Sequence, residues 1–258
     1  MFRVPPPRSL SSGSRRGKAA PSCAALFLRR LRGNAGRGTV GGVPSREPLR
    51  VAVLLSGEGT SFENLAGCVA RGEVPAEIAV VVASREKAGG LARASRLGIP
   101  GVAVSRKAYP DVAAFNDAIH DVLKRYDPGL VALLGFLSPF EPREAFAGRV
   151  INVHPALIPA FSGRGFYGRR VHEAVLERGC RVTGATVHFV DDEYDHGPII
   201  LQEAVPVLDD DDAEQLAGRV QAAERRLVPA AIRLYAEGRL QLDGGRVKIR
   251  RRRDDDGA

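Results

Sequence analysis

VINVHPALIP, residues 150–159, is the stretch that decides how this chain folds and where its chemistry sits. A short β-branched run carries Asn152 and His154 two positions apart, and Pro155 then removes a backbone donor and ends regular pairing. Strand side chains alternate with period two, so Asn152 and His154 share one face while Ile151 and Val153 share the other. The expected element is a core strand whose end delivers an amide and an imidazole to the same side.

Toward the N terminus, strands of the same kind alternate with helices. LRVAVLLS (49–56) is a continuous apolar run, as a parallel strand covered on both faces requires. It leads into GEGTSFENL, where Gly57 and Gly59 permit a tight turn and Thr60 or Ser61 is the expected N-cap, with Glu63 or Asn64 nearby. This turn has two readings. Amides and hydroxyls at a helix N-terminus hold a phosphate; alternatively, a strand-to-helix turn simply needs glycine. The full dinucleotide fingerprint and the P-loop lysine are both missing, and Glu58 must point to solvent if an anion is to sit there.

AEIAVVVAS (76–84) reads as a second buried strand, residues 91–97 as the end of a short helix stopped by Gly98 and Pro100, and GVAVS from Gly101 as a third strand. Val112, Phe115, Ile119, Val122 and Leu123 mark one face of a helix over 111–126, and LVALLGF (130–136) is another buried strand. The alternation predicts an α/β fold with a mostly parallel sheet and helices on both faces. Such sheets bind ligands at the carboxyl ends of their strands, where the glycine turn and the Asn152/His154 pair both lie.

Beyond the central stretch, AFSGRGFYG (160–168) is too glycine-rich to be regular. It is either a loop that closes over a ligand with Arg164 and its aromatic rings, or a surface connection. A helix is expected over 169–178. Two β-rich runs, 183–190 and 199–205, then flank an acidic turn at 191–197 closed by Pro198, which predicts an antiparallel hairpin appended to the sheet. Asp195 sits at the tightest point of that turn. A carboxylate near His154 would raise its pKa and orient the ring, and an amide and an imidazolium together can donate to an oxyanion. The competing reading for His154, as for His188 and His196, is a satisfied structural histidine, while His120 and His172, on predicted helices, are expected to be ordinary exposed residues. Metal binding by His154, His188 and Asp195 lacks any ligand spacing such as HExxH, so no metal is expected. A last helix is expected over 213–235, with Asp209 to Asp212 at its N-terminus.

At 258 residues the chain can bury one substantial core. Its formal net charge of +8 owes much to the ends: no Asp or Glu precedes Glu47, and Arg250 to Arg253 form a terminal basic run. Elsewhere no basic stripe is interleaved with aromatics, so no nucleic-acid partner is expected. Cys23, Cys68 and Cys180 have no paired spacing, which fits a reducing compartment, the cytoplasm. Residues 1–47 are rich in Arg, Ser, Gly and Pro and are expected to be a disordered basic extension. An organelle transit peptide is the minority reading and an upstream extension the preferred one; the apolar patch Cys23 to Leu28 is too short to span a membrane, and no membrane partner is expected. The folded domain is expected over 48–241 and a charged tail over 242–258.

NVHPALIP, followed by GATVHFVDDEYDHGPIILQ (184–202) and preceded by a first strand ending in SGEGTSFENL (56–65), resembles phosphoribosylglycinamide formyltransferase, the folate-dependent enzyme of purine synthesis, from about Arg50 to Leu240. The resemblance implies a Rossmann-like formyltransferase sheet with an antiparallel C-terminal extension, and transfer of a formyl group from 10-formyltetrahydrofolate to the amine of phosphoribosylglycinamide by a monomer or homodimer. It places the family's catalytic residues on Asn152, His154 and Asp195 and its phosphate turn on Gly59, Thr60 and Ser61. Substrate contacts fall on Arg106 and Glu224, and the folate loop on Asp191, Asp192, Glu193, Tyr194 and Asp195, with Asn152 shared. Where the family often reads GFMRILSP this chain reads GFLSPFEP (135–142), shorter by two residues, and Leu137, Ser138, Pro139 and Phe140 are the implied pocket wall. Ser61 replaces a common Asn.

Related chemistries are distinguishable. Methionyl-tRNA formyltransferase adds a C-terminal β-barrel, and residues after Leu240 are expected to be too few for one. Formyltetrahydrofolate deformylase shares the Asn, His and Asp set with water as acceptor but carries an N-terminal regulatory domain, for which residues 1–47 are too polar and too short. A non-catalytic folate- or nucleotide-binding module would have no need of all three polar groups. The acceptor amine is itself the nucleophile, so the lack of a Ser/His/Asp or Cys/His motif is consistent with transfer.

Overall fold

The computed structural model describes residues 39–40, 47–243 and 245–251. The strands are β1 (Thr39–Val40), β2 (Leu49–Leu55), β3 (Ala76–Ala83), β4 (Gly101–Ala103), β5 (Leu130–Leu133), β6 (Val150–His154), β7 (Val182–Phe189), β8 (Ile199–Pro206), β9 (Leu240–Asp243) and β10 (Arg246–Ile249). The helices are α1 (Thr60–Ala70), α2 (Gly89–Arg96), α3 (Val112–Tyr126), α4 (Arg143–Phe146), α5 (Arg169–Glu177) and α6 (Ala213–Ala236), with a 3-10 turn at Arg106–Ala108.

Strands β2 to β8 form one sheet in the order β4-β3-β2-β5-β6-β7-β8. Pairing is parallel from β4 across to β6 and antiparallel from β6 to β7 and β7 to β8. Successive residues of β2 enter opposite cores, which is why the whole run is apolar. Val51, Val53 and Leu55 pack with Phe62 and Leu65 of α1 and with Leu216, Val220 and Ile232 of α6. Ala52 and Leu54 pack on the other side with Phe115, Ile119 and Leu123 of α3. Helices therefore cover both faces. The chain leaves β2 toward β3 and β4 on one side and later returns to β5 and β6 on the other, so the strand order reverses beside β2. That reversal opens a crevice at the carboxyl ends of β2 and β5.

Helix α6 opens with a capping box, in which the Asp212 carboxylate accepts from the Gln215 amide and the Gln215 side chain accepts from the Asp212 amide. Pro229 lies inside it and has no N–H for the Arg225 carbonyl four residues back. Asn64 of α1 supplies the donor instead, with Nδ2 2.8 Å from the Arg225 oxygen. The missing helical bond thus becomes a tie between two helices.

Several expectations are corrected. The N-cap of α1 is Gly59, at φ 74°, rather than Thr60 or Ser61, and no side chain caps the helix. The strand expected over 130–136 stops at Leu133 because Gly135 turns into left-handed backbone at φ 70°. His120 and His172 are both buried, since α3 and α5 each carry the histidine on the face that meets the protein. The tail expected from residue 242 instead begins with the antiparallel β9–β10 hairpin, whose β9 also pairs with Thr39–Val40. The disorder expected for 1–47 falls outside the described residues except at those two paired positions and Glu47, and residues 252–258 lie outside them too. Among the described residues no helix is long and apolar enough to cross a membrane.

Candidate active site

A cleft of about 1260 Å³ opens at the carboxyl ends of β2, β5 and β6. One end is the turn from Gly57 to Ser61. Left-handed Gly59 is indispensable there, because a Cβ would come 2.8 Å from the Gly90 Cα of α2. The uncapped first turn of α1 leaves its amides, with the Thr60 and Ser61 hydroxyls, at the cleft wall. The Glu58 side chain lies over Gly89, where an added Cβ would collide with its carboxylate, so it faces the N-terminus of α2. Glu58 still borders the cleft, with its carboxylate turned to Gly89.

At the centre, β6 and β7 lie antiparallel with Asn152 opposite His188 and His154 opposite Thr186. The Thr186 hydroxyl donates to the Ala156 carbonyl (2.7 Å) and accepts from the Ile158 amide (3.1 Å) and Gln202 Nε2 (3.0 Å), so its full capacity is spent fixing the segment after His154. Asp195, held at φ 54°, turns its carboxylate into this cluster. Oδ2 lies 3.4 Å from His154 Nδ1 and accepts from the Gly163 amide at 3.0 Å. Oδ1 lies 3.7 Å from His188 Nε2 and 3.4 Å from Asn152 Nδ2.

The hydrogen bonds assign the protons. His188 Nδ1 donates to the Phe189 carbonyl (2.8 Å), so in the neutral ring Nε2 accepts from Asn152 Nδ2 at 3.1 Å. Asn152 therefore directs its amide protons to His188 and Asp195. His154 Nε2 donates to the Phe161 carbonyl at 2.8 Å, which leaves Nδ1 for the Asp195 carboxylate. That geometry favours a second proton on His154, but burial acts more strongly. Burial pushes the His154 pKa below its ordinary value, with Asp195 and the Phe161 carbonyl opposing it and His188 reinforcing it. The carboxylate thus acts in the direction expected from the sequence, but burial outweighs it and the net direction is downward. For Asp195, burial works upward, yet His188, His154 and the Gly163 amide together hold the carboxyl below its usual range.

Glu224 of α6 lines the cleft and has no hydrogen-bond partner among the described residues. Burial raises its pKa to about 7, with Arg225 opposing weakly. His172 also lines the cleft; its Nδ1 is buried without a hydrogen-bond partner among the described residues, and burial and then His154 lower its pKa. At the acidic turn, Asp191 accepts from His196 Nδ1 at 2.9 Å and raises its pKa. No group of three His, Cys, Asp or Glu side chains is placed to hold a metal ion among the described residues.

Of the positions singled out in the sequence, Gly59, Thr60, Ser61, Leu137, Ser138, Pro139, Phe140, Asn152, His154, Asp191, Asp192, Glu193, Tyr194, Asp195 and Glu224 all line this cleft. Arg106 does not. Its Nη1 donates to the Tyr109 carbonyl at 2.9 Å and its guanidinium lies over the Phe115 ring, which holds it outside the cleft wall. Sequence reasoning missed His188 as a partner of Asn152, and His172 as a lining group. Only the β6–β7 register pairs His188 with Asn152, and no local pattern encodes it.

The formyl transferase family model matches residues 49–232. The trifunctional purine biosynthetic protein adenosine-3 of Gallus gallus is 41% identical over 204 residues, covering 77% of this chain and 20% of that protein. This chain therefore spans about a fifth of such relatives. Phosphoribosylglycinamide formyltransferase of Haemophilus influenzae is 35% identical over 195 residues, covering 75% of this chain and 90% of that one. The crystal structure of glycinamide ribonucleotide transformylase 1 from Symbiobacterium toebii superposes with a TM-score of 0.75 at 42% identity, covering 80% of this chain and 95% of that one. Its likeness extends to the mostly parallel sheet with antiparallel final strands.

Proposed function

This chain belongs to the formyl transferase family, and from that premise we propose that it transfers a formyl group from 10-formyltetrahydrofolate to the amine of 5'-phosphoribosylglycinamide, in purine biosynthesis. The observation that carries this reading is the convergence of Asn152, His154 and Asp195 at the strand ends, in one cleft with an uncapped helix N-terminus.

The phosphate end of the acceptor fits the Gly59–Ser61 turn, where amides and hydroxyls meet the positive end of α1. Glu224, on the facing helix, offers a carboxyl to sugar hydroxyls. The folate donor fits the other end, between the wall at Leu137 to Phe140 and the acidic turn 191–195. The acceptor nitrogen attacks the formyl carbon, a C–N bond forms, and the carbonyl electron pair moves onto oxygen. Asn152 and His154 are the donors placed for that oxyanion. Both are engaged with protein acceptors, and a full negative charge competes well for such protons against the neutral Phe161 carbonyl. Asp195 favours a second proton on His154 Nδ1 against the opposing effect of burial, so that the ring takes up a proton from water in the cleft and becomes an imidazolium as negative charge builds on the oxyanion. It also passes a proton from the attacking nitrogen to the folate nitrogen, through water, as the old C–N bond breaks.

The reaction needs no thiolate or hydroxyl nucleophile. Cys68 and Cys180 are free thiols. A spectrophotometric assay following deformylation of a 10-formylfolate donor tests the reading. Product formation only when phosphoribosylglycinamide is present supports it. Product without the amine points to hydrolysis by the same residues, and folate binding without product points to a non-catalytic module.

A further inference from the structure

We propose that Asn116 and His120, which do not line the cleft, are positioning residues that set the geometry of its folate-facing wall. The inference rests on the reading of Leu137 to Phe140 as that wall.

Asn116 and His120 stand four residues apart on α3 and so share a face. Both are buried polar side chains, 0% and 4% exposed. Their hydrogen bonds converge on the segment that follows β5. The Glu141 amide donates to Asn116 Oδ1 at 2.9 Å, and His120 Nε2 donates to the Glu141 carbonyl at 2.8 Å. One residue is thus held by both its backbone groups. Asn116 Nδ2 donates to Val112 O at 2.9 Å and reaches Pro139 O at 3.4 Å. The His120 ring stacks on Phe140 at 5.6 Å and 14°. At the other end of the wall, the Leu137 amide donates to Ser56 Oγ at 2.8 Å, and that hydroxyl is 2.6 Å from Ser84 Oγ.

Residues 137–141 contain no helix or strand to hold them, so side chains must supply the bonds that a ladder would otherwise provide. Burial lowers the His120 pKa, although the Glu141 carbonyl opposes it. The contact requires a proton on Nε2, and the neutral ring that burial favours supplies it in its Nε2–H tautomer. A buried pair whose Oδ1 and Nε2 bonds both go to Glu141, at the end of a ligand-facing wall, fixes which backbone groups that wall offers, and so acts on one substrate rather than both.

The test is steady-state kinetics on the full chain with both substrates varied. His120→Leu removes the donor while keeping an apolar body; His120→Gln restores an N–H at similar reach. The expected result is that His120→Leu raises KM for the 10-formylfolate donor about tenfold, with KM for phosphoribosylglycinamide and kcat within about twofold, and that His120→Gln recovers most of the loss. Asn116→Ser, which retains a smaller hydroxyl, is expected to show the same donor-specific change and keeps the test available if His120→Leu fails to fold. Equal changes in both KM values, or a lowered Tm with unchanged KM values, would overturn the inference while wild-type turnover leaves the proposed function standing. Absence of folate-dependent turnover in the wild-type protein would overturn both.

Discussion

The carboxylate of Asp195 lies 3.4 Å from Nδ1 of His154, brought there by a residue whose own backbone is left-handed at φ 54°. Non-glycine residues adopt that conformation at a cost, and it is retained where the surrounding structure enforces it. Here the Gly163 amide and two histidines provide the enforcement.

Asp195→Asn keeps the shape and removes the charge. Turnover is expected to fall on the order of 10²-fold or more, because the developing imidazolium loses its counter-charge. Binding of phosphoribosylglycinamide, measured by calorimetry, is expected to stay within a few-fold of wild type. Near-normal turnover would remove Asp195 from the mechanism.

Histidine NMR titration provides an independent check. His154 is expected to titrate below its ordinary value of 6.5, since burial dominates. In Asp195→Asn it is expected to titrate lower still, because the carboxylate is the main influence holding it up. An upward shift in the variant would contradict the coupling.

Much of this geometry was legible in the sequence. Strand alternation put Asn152 and His154 on one side, and the apolar run 49–56 announced a strand covered twice, as the opposite destinations of Val53 and Leu54 bear out. The cap of α1 was misread, because Thr60 and Ser61 are good caps in general, while the close approach of Gly90 demands glycine before them. His154's depressed pKa was not legible either: charge partners can be guessed from spacing, but desolvation depends on everything packed around the ring. Arg106 shows the same limit, since a guanidinium captured by Tyr109 three residues away gives no signal of it in the motif.

Glu224 makes stability depend on pH. Its pKa rises from an ordinary 4.5 to about 7 in the folded protein, so the folded state holds a proton that the unfolded chain releases. The stability associated with the protonated carboxyl is fully present below 4.5 and is lost as pH rises to about 7. Glu224→Gln is therefore expected to be more stable than wild type at pH 8, by about 3 kcal/mol, and equal to it below pH 4.5. Denaturant midpoints between pH 4 and 8 measure this; a difference that does not change with pH would rule it out.

Gly59→Ala places a side chain at φ 74° and against Gly90. Roughly 2 kcal/mol of stability is expected to be lost. KM for phosphoribosylglycinamide should rise more than KM for the folate donor, because the displaced amides belong to the phosphate end. Two-substrate kinetics and thermal melts read both effects, and an unchanged melt would show that the turn tolerates a Cβ.

The hydrogen bond from Asn64 to the Arg225 carbonyl joins residues 161 positions apart. It locks the helix that starts at the phosphate turn to the helix that carries Glu224. During synthesis, residues up to about 206 already encode every strand of the large sheet and the Asn152, His154 and Asp195 cluster. The acceptor's end of the cleft waits for α6. A growing chain thus passes through a stage in which the reacting groups, the phosphate turn and the folate wall are encoded while the carboxyl of Glu224 that faces the sugar is not, and the acceptor's end of the cleft is completed only when α6 leaves the ribosome.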